Sequence, residues 1–140
     1  MSWRINKMAA FVLDSHALLA FFRGEKGAVA VKDLLHKAAG LDRLVHMTEV
    51  NYAEVKYTLL KKDGAEAWVQ AADILDSLPI EFHPVMRGLA DTAADFKARF
   101  KISLADAFAA ALAKEKKAEL VTGDLEFKAL EKEIKVVWLK

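Results

Sequence analysis

Short apolar runs alternate with longer stretches of helical periodicity along the sequence, and this alternation restricts the possible folds more than any other feature. Each run contains at least one β-branched residue and has the length of a strand in a sheet covered on both faces. The five predicted strands are Ala9–Leu13, Leu44–Met47, Ile80–His83, Glu119–Val121 and Ile134–Leu139. Helical connections between strands favour parallel pairing. We therefore predict an α/β fold of three layers (α/β/α), with a central parallel sheet of about five strands.

Seven stretches have the spacing of helices: Ser15–Arg23, Ala28–Ala38, Glu49–Lys62, Ala65–Leu75, Met86–Phe100, Leu104–Lys116 and Leu125–Glu131. Pro79 and Pro84 flank the third predicted strand, which favours an edge position for that strand. No internal repeat or linker divides the sequence. We expect residues 1–140 to form a single domain, with residues 1–7 as a peripheral or poorly ordered segment.

Composition excludes several classes of protein. The 140 residues contain no cysteine, which removes disulfides, thiol nucleophiles and cysteine-based zinc sites. No apolar stretch reaches the roughly 18 to 20 residues that span a bilayer, and the first residues lack a signal-peptide core, so we expect a soluble cytoplasmic protein. The formal net charge is +1, so any nucleic-acid contact must come from a local patch.

The histidines show no ligand spacing such as HExxH. They are His16, His36, His46 and His83. We interpret each as an ordinary surface or partly buried histidine.

Acidic residues stand in or beside apolar runs, where burial of an ionised carboxylate is costly. They are Asp14, Glu54, Asp106 and Asp124. Asp14 directly follows the first predicted strand, and Asp124 comes shortly after the fourth. If those strands are neighbours, both carboxylates emerge at one edge of the sheet, and helices can bring the other two to the same edge. A divalent metal would neutralise such a group of carboxylates.

Each aspartate also has a structural alternative. Asp14 and Asp124 could be the N-caps of the helices that follow them. Ser103 and Asp106 have the spacing of a permissive capping box, although the helix they begin is apolar almost all round and should be buried.

Glu54 is expected on the buried face of its helix, where a surface glutamate has no reason to lie. The apolar stripe that predicts this face is Val50, Ala53, Tyr57 and Leu60. Thr48 is the predicted N-cap, and Glu49 in the first turn suits the helix dipole, so its role is structural. Asn51 could support the site or face solvent.

These residues lie in segments that resemble those of the PIN-domain nucleases, and among them the VapC-type toxins of toxin–antitoxin pairs. The similarity extends from Phe11 to Trp138, and the order and spacing of four segments carry it. These segments are Phe11–Ser15, Asn51–Val55, Leu104–Ala111 and Leu120–Phe127, the last with a Thr-x-Asp-x-x-Phe pattern.

The resemblance implies a metal-dependent ribonuclease. Asp14, Glu54, Asp106 and Asp124 would be the catalytic carboxylates and would hold one or two Mg²⁺ or Mn²⁺ ions, with Ser15 and Thr122 as supporting hydroxyls. Ser15 stands where many relatives have threonine. The resemblance also implies an antitoxin that covers the acidic cleft and inserts a basic side chain, as well as a homodimer.

The chemistry of the residues supports hydrolysis of RNA. Mg²⁺ prefers oxygen ligands, activates water and offsets the charge that develops on a phosphodiester. Glu54 or Asp124 could orient the attacking water. The candidates for a local phosphate-binding patch are Lys56, Lys97, Arg99 and Lys101.

Two other functions stay open. A PIN-like fold could serve as a protein-binding module with little or no catalysis, although the presence of all four acids argues against it. A phosphotransfer or receiver-like domain could use Asp14 as the acceptor, but no second acidic residue stands beside it.

Overall fold

A computed structural model describes residues 9–140, and the expectation for residues 1–7 lies outside this range. Five strands form one sheet, in the order β3-β2-β1-β4-β5. The strands are β1 (Phe11–Leu13), β2 (Val45–Thr48), β3 (Ile80–His83), β4 (Glu119–Thr122) and β5 (Val136–Trp138). Every pair of neighbouring strands is parallel, so the predicted parallel sheet is confirmed. The strand between the two prolines, β3, lies at an edge as predicted.

Six α-helices and one 3₁₀ helix connect the strands. They are α1 (Ser15–Arg23), α2 (Ala28–Gly40), α3 (Glu49–Asp63), α4 (Ala65–Leu75), α5 (Arg87–Arg99), α6 (Leu104–Lys116) and the 3₁₀ helix Leu125–Leu130. The last predicted helix therefore forms with tighter 3₁₀ geometry. Within residues 9–140, no helix combines the length and apolar composition of a membrane span.

The helices cover both faces of the sheet, because successive side chains of a strand point in opposite directions. Val12 of β1 packs against the core formed by α5, α6 and the 3₁₀ helix. Leu13, the next residue, packs against the core formed by α1, α2, α3 and α4. The predicted three layers are confirmed.

Helix α6 is enclosed on all sides. Eight consecutive residues, from Asp106 to Ala113, are buried, as the almost continuous apolar sequence of this helix predicts. Five of these residues are alanines, whose small side chains let neighbouring elements approach closely. The helix therefore carries Asp106 into the interior of the fold.

The predicted buried face of α3 is wrong. The residues that α3 buries are Asn51, Val55 and Leu59. Tyr57 and Leu60 from the predicted apolar stripe are 56% and 39% exposed. A polar residue, Asn51, occupies the core position nearest the start of the helix, and this rotates the buried face away from the one that hydrophobicity indicates.

Candidate active site

Strands β1 and β4 are direct neighbours inside the sheet, and both are followed by an aspartate that contributes to one edge of the sheet. Asp14 follows β1 and is only 1% exposed. Its Oδ1 atom accepts a hydrogen bond from the backbone N–H of Ala17 at 2.8 Å, so it is the N-cap of α1. Its Oδ2 atom accepts a hydrogen bond from the hydroxyl of Thr122. Asp14 can cap α1 and still contribute to a site at this edge, because each carboxylate oxygen keeps a second lone pair.

Asp124 follows β4 by two residues and is fixed by the same threonine. The backbone N–H of Asp124 donates to Thr122 Oγ1 at 2.9 Å. Asp124 Oδ1 in turn accepts the N–H of Glu126 at 3.0 Å and caps the 3₁₀ helix. Thr122 therefore connects the two aspartates that follow β1 and β4.

Asp106 lies in the first turn of α6. Its backbone N–H donates to Ser103 Oγ at 3.1 Å, so the predicted Ser103 cap is confirmed. Because the cap uses only the backbone N–H of Asp106, the carboxylate stays available, and it lies close to Asp124. Carboxylate oxygens of Asp106, Asp124 and Glu126 all lie within 4.8 Å of one another.

Glu126 is a member of this group that the sequence analysis missed. It stands two residues after Asp124, in the first turn of the 3₁₀ helix, where an acidic residue has an ordinary structural explanation. The Asp-Leu-Glu spacing was the available signal, and in the 3₁₀ helix it places the Glu126 carboxylate close to that of Asp106.

An open cavity of about 340 Å³ lies over these carboxylates. Glu54 lines one wall together with Thr58 and Lys62, which follow it at intervals of four residues on α3. The buried side chain of Asp14 does not line the cavity, but its carboxylate is close enough to those of Asp124 and Glu54 to be repelled by them. The remaining lining residues are Ser15, His16, Leu19, Ser103, Asp106, Asp124 and Glu126. Three of the four predicted carboxylates therefore line one cavity.

Asn51 supports this arrangement from within the core and does not face solvent. Its Nδ2 atom donates to Ser15 Oγ at 3.0 Å and to the backbone oxygen of Ala105 at 3.1 Å. Its backbone N–H donates to Thr48 Oγ1 at 3.0 Å, so the predicted Thr48 cap is confirmed. Asn51 therefore ties α3 to α1 and to α6 next to Asp106.

The electrostatics of the cavity favour protons or cations. Burial is the main effect that raises the pKa of Asp14 to about 7, and the nearby carboxylates of Asp124 and Glu54 raise it further, against the hydrogen bonds from Thr122 and Ala17. Burial also raises the pKa of Asp106 well above its usual range, with repulsion from Asp124 as the next cause. Both groups are therefore difficult to ionise without a compensating charge.

The donor set fits a hard divalent cation. The acidic side chains around the cavity offer carboxylate oxygens, which Mg²⁺ and Mn²⁺ prefer as ligands. Within the described part of the chain, no lysine or arginine forms an ion pair with Asp14, Glu54, Asp106, Asp124 or Glu126. A cation would thus supply the charge that the protein side chains leave uncompensated.

A comparison with known families assigns the fold. The PIN domain family matches residues 11–133, almost the whole described chain. The chain belongs to the PIN domain family. No curated protein sequence matches it at a significant level.

Solved structures share the architecture of this PIN domain. The VapBC2 complex from Rickettsia felis, bound to a promoter DNA fragment, has a chain that superposes with a TM-score of 0.76 at 16% identity, covering 94% of this chain and 99% of that one. VapC20 of Mycobacterium tuberculosis, a sarcin-ricin loop cleaving toxin, gives a TM-score of 0.69 at 21% identity and covers 86% and 95% of the two chains. A toxin–antitoxin complex from Klebsiella pneumoniae gives 0.69 at 18% identity, with 91% and 96% covered.

The residues of the predicted basic patch do not line the cavity of this PIN domain. In residues 9–140, none of Lys56, Lys97, Arg99 and Lys101 lines the cavity. Lys97 donates to the backbone oxygen of Ile102 at 2.7 Å, and Arg99 forms a two-bonded ion pair with Glu133. Among the described residues, the lysine on the cavity wall is Lys62.

Proposed function

We propose that this PIN domain is a metal-dependent endoribonuclease that acts as the toxin of a toxin–antitoxin pair. The observation that carries the proposal is the group of carboxylates around one cavity, held close together without a lysine or arginine partner in the described residues. Packing such groups against one another costs stability, so a purely structural role is a poor explanation.

Asp14, Glu54, Asp106 and Asp124 would hold one or two Mg²⁺ or Mn²⁺ ions, and Glu126 is added to them here. When bound, such a cation lowers the pKa of water and stabilises the charge that develops on a phosphate in an in-line displacement. Glu54 or Asp124 would orient the attacking water by accepting one of its hydrogens.

The supporting residues keep the carboxylates in place. Thr122 holds Asp14 through its hydroxyl hydrogen and Asp124 through its oxygen lone pair. Asn51 and Ser15 fix the start of α3 against α1 and α6. Such fixed positions are needed because a displacement of about 1 Å at a reacting centre can cost a hundredfold in rate.

RNA is the proposed substrate. Within the described residues, Lys62 is the only lysine or arginine on the cavity wall, and its ammonium would meet a phosphate of the bound strand. VapC20 of Mycobacterium tuberculosis, which shares the fold, is a toxin that cleaves the sarcin-ricin loop, and this supports an RNA substrate at the level of the fold.

A protein partner is also part of the proposal. Several similar structures are toxin–antitoxin complexes, and a basic side chain of an antitoxin would neutralise the same carboxylates. We further propose that the protein acts in the cytoplasm as a homodimer. Sedimentation analysis of the purified chain tests the dimer, and co-purification with the product of an adjacent reading frame tests the antitoxin.

A phosphoryl acceptor role for Asp14 is disfavoured by its environment. An acceptor aspartate must admit a phosphate group, whereas Asp14 is 1% exposed and both its oxygens accept hydrogen bonds.

The test is cleavage of a mixed-sequence RNA panel by purified protein in Mg²⁺ or Mn²⁺. The panel includes single strands and stem-loops. Asp106→Asn is the active-site variant, and Asp91→Asn, at an exposed aspartate of α5, is the matched control. We expect cleavage by the wild type and by Asp91→Asn, and its loss with EDTA or in Asp106→Asn.

Cleavage that survives EDTA, or that is equal in Asp106→Asn and Asp91→Asn, would contradict the proposal. If no RNA in the panel is cut and neither Mg²⁺ nor Mn²⁺ raises the melting temperature, the protein-binding module becomes the better account.

A further inference from the structure

A second group of ligand-type side chains lies at the edge of the sheet, on strands β2 and β3. His46 Nδ1 and His83 Nε2 are 2.8 Å apart. Glu81 Oε1 lies 3.7 Å from His46 Nδ1 and 3.9 Å from His83 Nε2. None of these residues lines the carboxylate cavity.

The strand register brings these side chains together. In the parallel pair β2 and β3, His46 is opposite Glu81, and Thr48 is opposite His83. Because side chains alternate along a strand, His46, Glu81 and His83 all project from the same face of the sheet. The two imidazole rings are 4.9 Å apart between centroids. The sequence hides this proximity, because 37 residues separate the two histidines.

The environment suits a bound ion. The side chains of His46 and His83 are 17% and 14% exposed, so packing limits their motion, while that of Glu81 is 49% exposed. One side of the group is therefore open to solvent, from which a water can complete a coordination shell. The positions of both histidines are set by strand backbone, which holds ligands more precisely than loops do.

We propose that His46, Glu81 and His83 form a site for a borderline-soft divalent metal, of which Zn²⁺ is the best candidate. Two imidazole nitrogens and one carboxylate oxygen are a donor set that suits Zn²⁺ better than Mg²⁺. In a tetrahedral zinc site, neighbouring ligand atoms are about 3.3 Å apart. The three observed separations, 2.8, 3.7 and 3.9 Å, lie on either side of that value, so shifts of well under 1 Å would complete the geometry.

Nearby charges assign a specific role to Glu81. The positive charges of Lys116 and Arg43 disfavour a further positive charge at His46. Glu81 is the anionic member that offsets these cations, so the site needs the carboxylate as well as the two rings. A bound ion would join edge strand β3 to β2 by direct coordination and would stabilise the exposed edge of the sheet.

The experiment uses the full chain with both Asp106→Asn and Asp124→Asn, so that the carboxylate cavity does not compete for metal. ZnCl₂ is titrated against a chromophoric chelator in excess Mg²⁺, and melting is followed with and without Zn²⁺. We expect one equivalent of Zn²⁺ per chain and a rise in melting temperature. Adding His83→Gln should remove both, whereas adding His36→Gln, at an exposed histidine of α2, should change neither.

Glu81→Gln keeps the test decisive if His83→Gln folds poorly. Glu81 is half exposed, so its variant should fold normally, and the Zn²⁺ affinity should fall by at least about tenfold. Zn²⁺ binding that is unchanged in Glu81→Gln and in His83→Gln would overturn the proposal. Failure of the background variant to bind Zn²⁺ would also overturn it and would leave the rings as a hydrogen-bonded pair. Neither result bears on RNA cleavage.

Discussion

Thr122 donates its hydroxyl hydrogen to the carboxylate of Asp14 across 108 residues of sequence. The same oxygen accepts the backbone N–H of Asp124 at 2.9 Å. One buried hydroxyl therefore links the two aspartates that follow strands β1 and β4. Any loss of this hydroxyl acts on both aspartates at once.

Thr122→Val should lower both stability and metal affinity. The valine leaves the N–H of Asp124 without its acceptor and Asp14 Oδ2 without its donor, which costs about 1–3 kcal/mol in unfolding free energy. Thr122→Ser keeps the hydroxyl and is the matched control. Urea unfolding and Mg²⁺ titration of the melting temperature provide the measurements. Equal behaviour of the two variants would show that the hydroxyl has no such role.

The metal-free protein should lose stability as pH rises from 5 to 8. A folded-state pKa of about 7 for Asp14, against 3.8 for the unfolded chain, means that the folded state binds the extra proton. The stabilisation is full below pH 3.8 and disappears as pH rises through about 7. From pH 5 to 8 this amounts to about 2–3 kcal/mol.

Urea unfolding in EDTA at several pH values measures this effect, with Asp14→Asn as the reference. Subtracting the variant's stability at each pH reduces the contributions that other titratable groups make to the wild-type curve. The difference in unfolding free energy between the two proteins should change by about 2–3 kcal/mol from pH 5 to pH 8. A difference that stays constant with pH would contradict a raised pKa at Asp14. Mg²⁺ should stabilise the wild type more at pH 8 than at pH 5, because metal competes with protons.

Much of the fold could be predicted because, at many positions, the local sequence pattern and the tertiary contacts favour the same structure. The strands, the edge position of β3 and the burial of α6 were all indicated by apolar patterning and by Pro79 and Pro84. Asp14, Asp106 and Asp124 were identified because each interrupts such a pattern. The adjacency of β1 and β4 brings Asp14 and Asp124 to one edge of the sheet, and α6 places Asp106 beside Asp124.

The remaining features depend on contacts that no local pattern encodes. Hydrophobicity placed Tyr57 on the buried face of α3, but the hydrogen bonds of Asn51 to Ser15 and Ala105 make an amide the core residue instead. The position of Glu126 near Asp106 depends on the 3₁₀ geometry of its turn. Sequence periodicity alone does not distinguish that geometry from an α-helix. The meeting of His46 with His83 depends on the register of two strands.

Asn51→Ala should destabilise the protein by about 2–3 kcal/mol, because Ser15 and the carbonyl of Ala105 lose a buried donor. It should also reduce kcat, since α3 and α6 would no longer be fixed beside Asp106. Glu49→Ala, at an exposed position of the same helix, should cost less than about 1 kcal/mol. Chemical unfolding and RNA cleavage under saturating substrate test both variants. A similar loss in the two would argue against the role of the amide.

Lys62→Gln should raise KM for RNA several-fold with little change in kcat. Loss of one phosphate contact should also reduce the slope of log affinity against log salt by about 0.7 for a single strand. Lys61→Gln is the control, because Lys61 is the adjacent exposed lysine and does not line the cavity. If the two variants have the same KM and the same salt dependence, Lys62 does not contact the substrate.

The most direct test of the carboxylate metal site is to locate Mn²⁺ by anomalous diffraction in crystals grown at saturating MnCl₂. We predict an anomalous peak within coordination distance of Asp106 and Asp124 in the wild type, and no peak there in crystals of Asp106→Asn. A wild-type cavity without Mn²⁺, or a peak that persists in Asp106→Asn, would contradict the assignment of these carboxylates as the metal site.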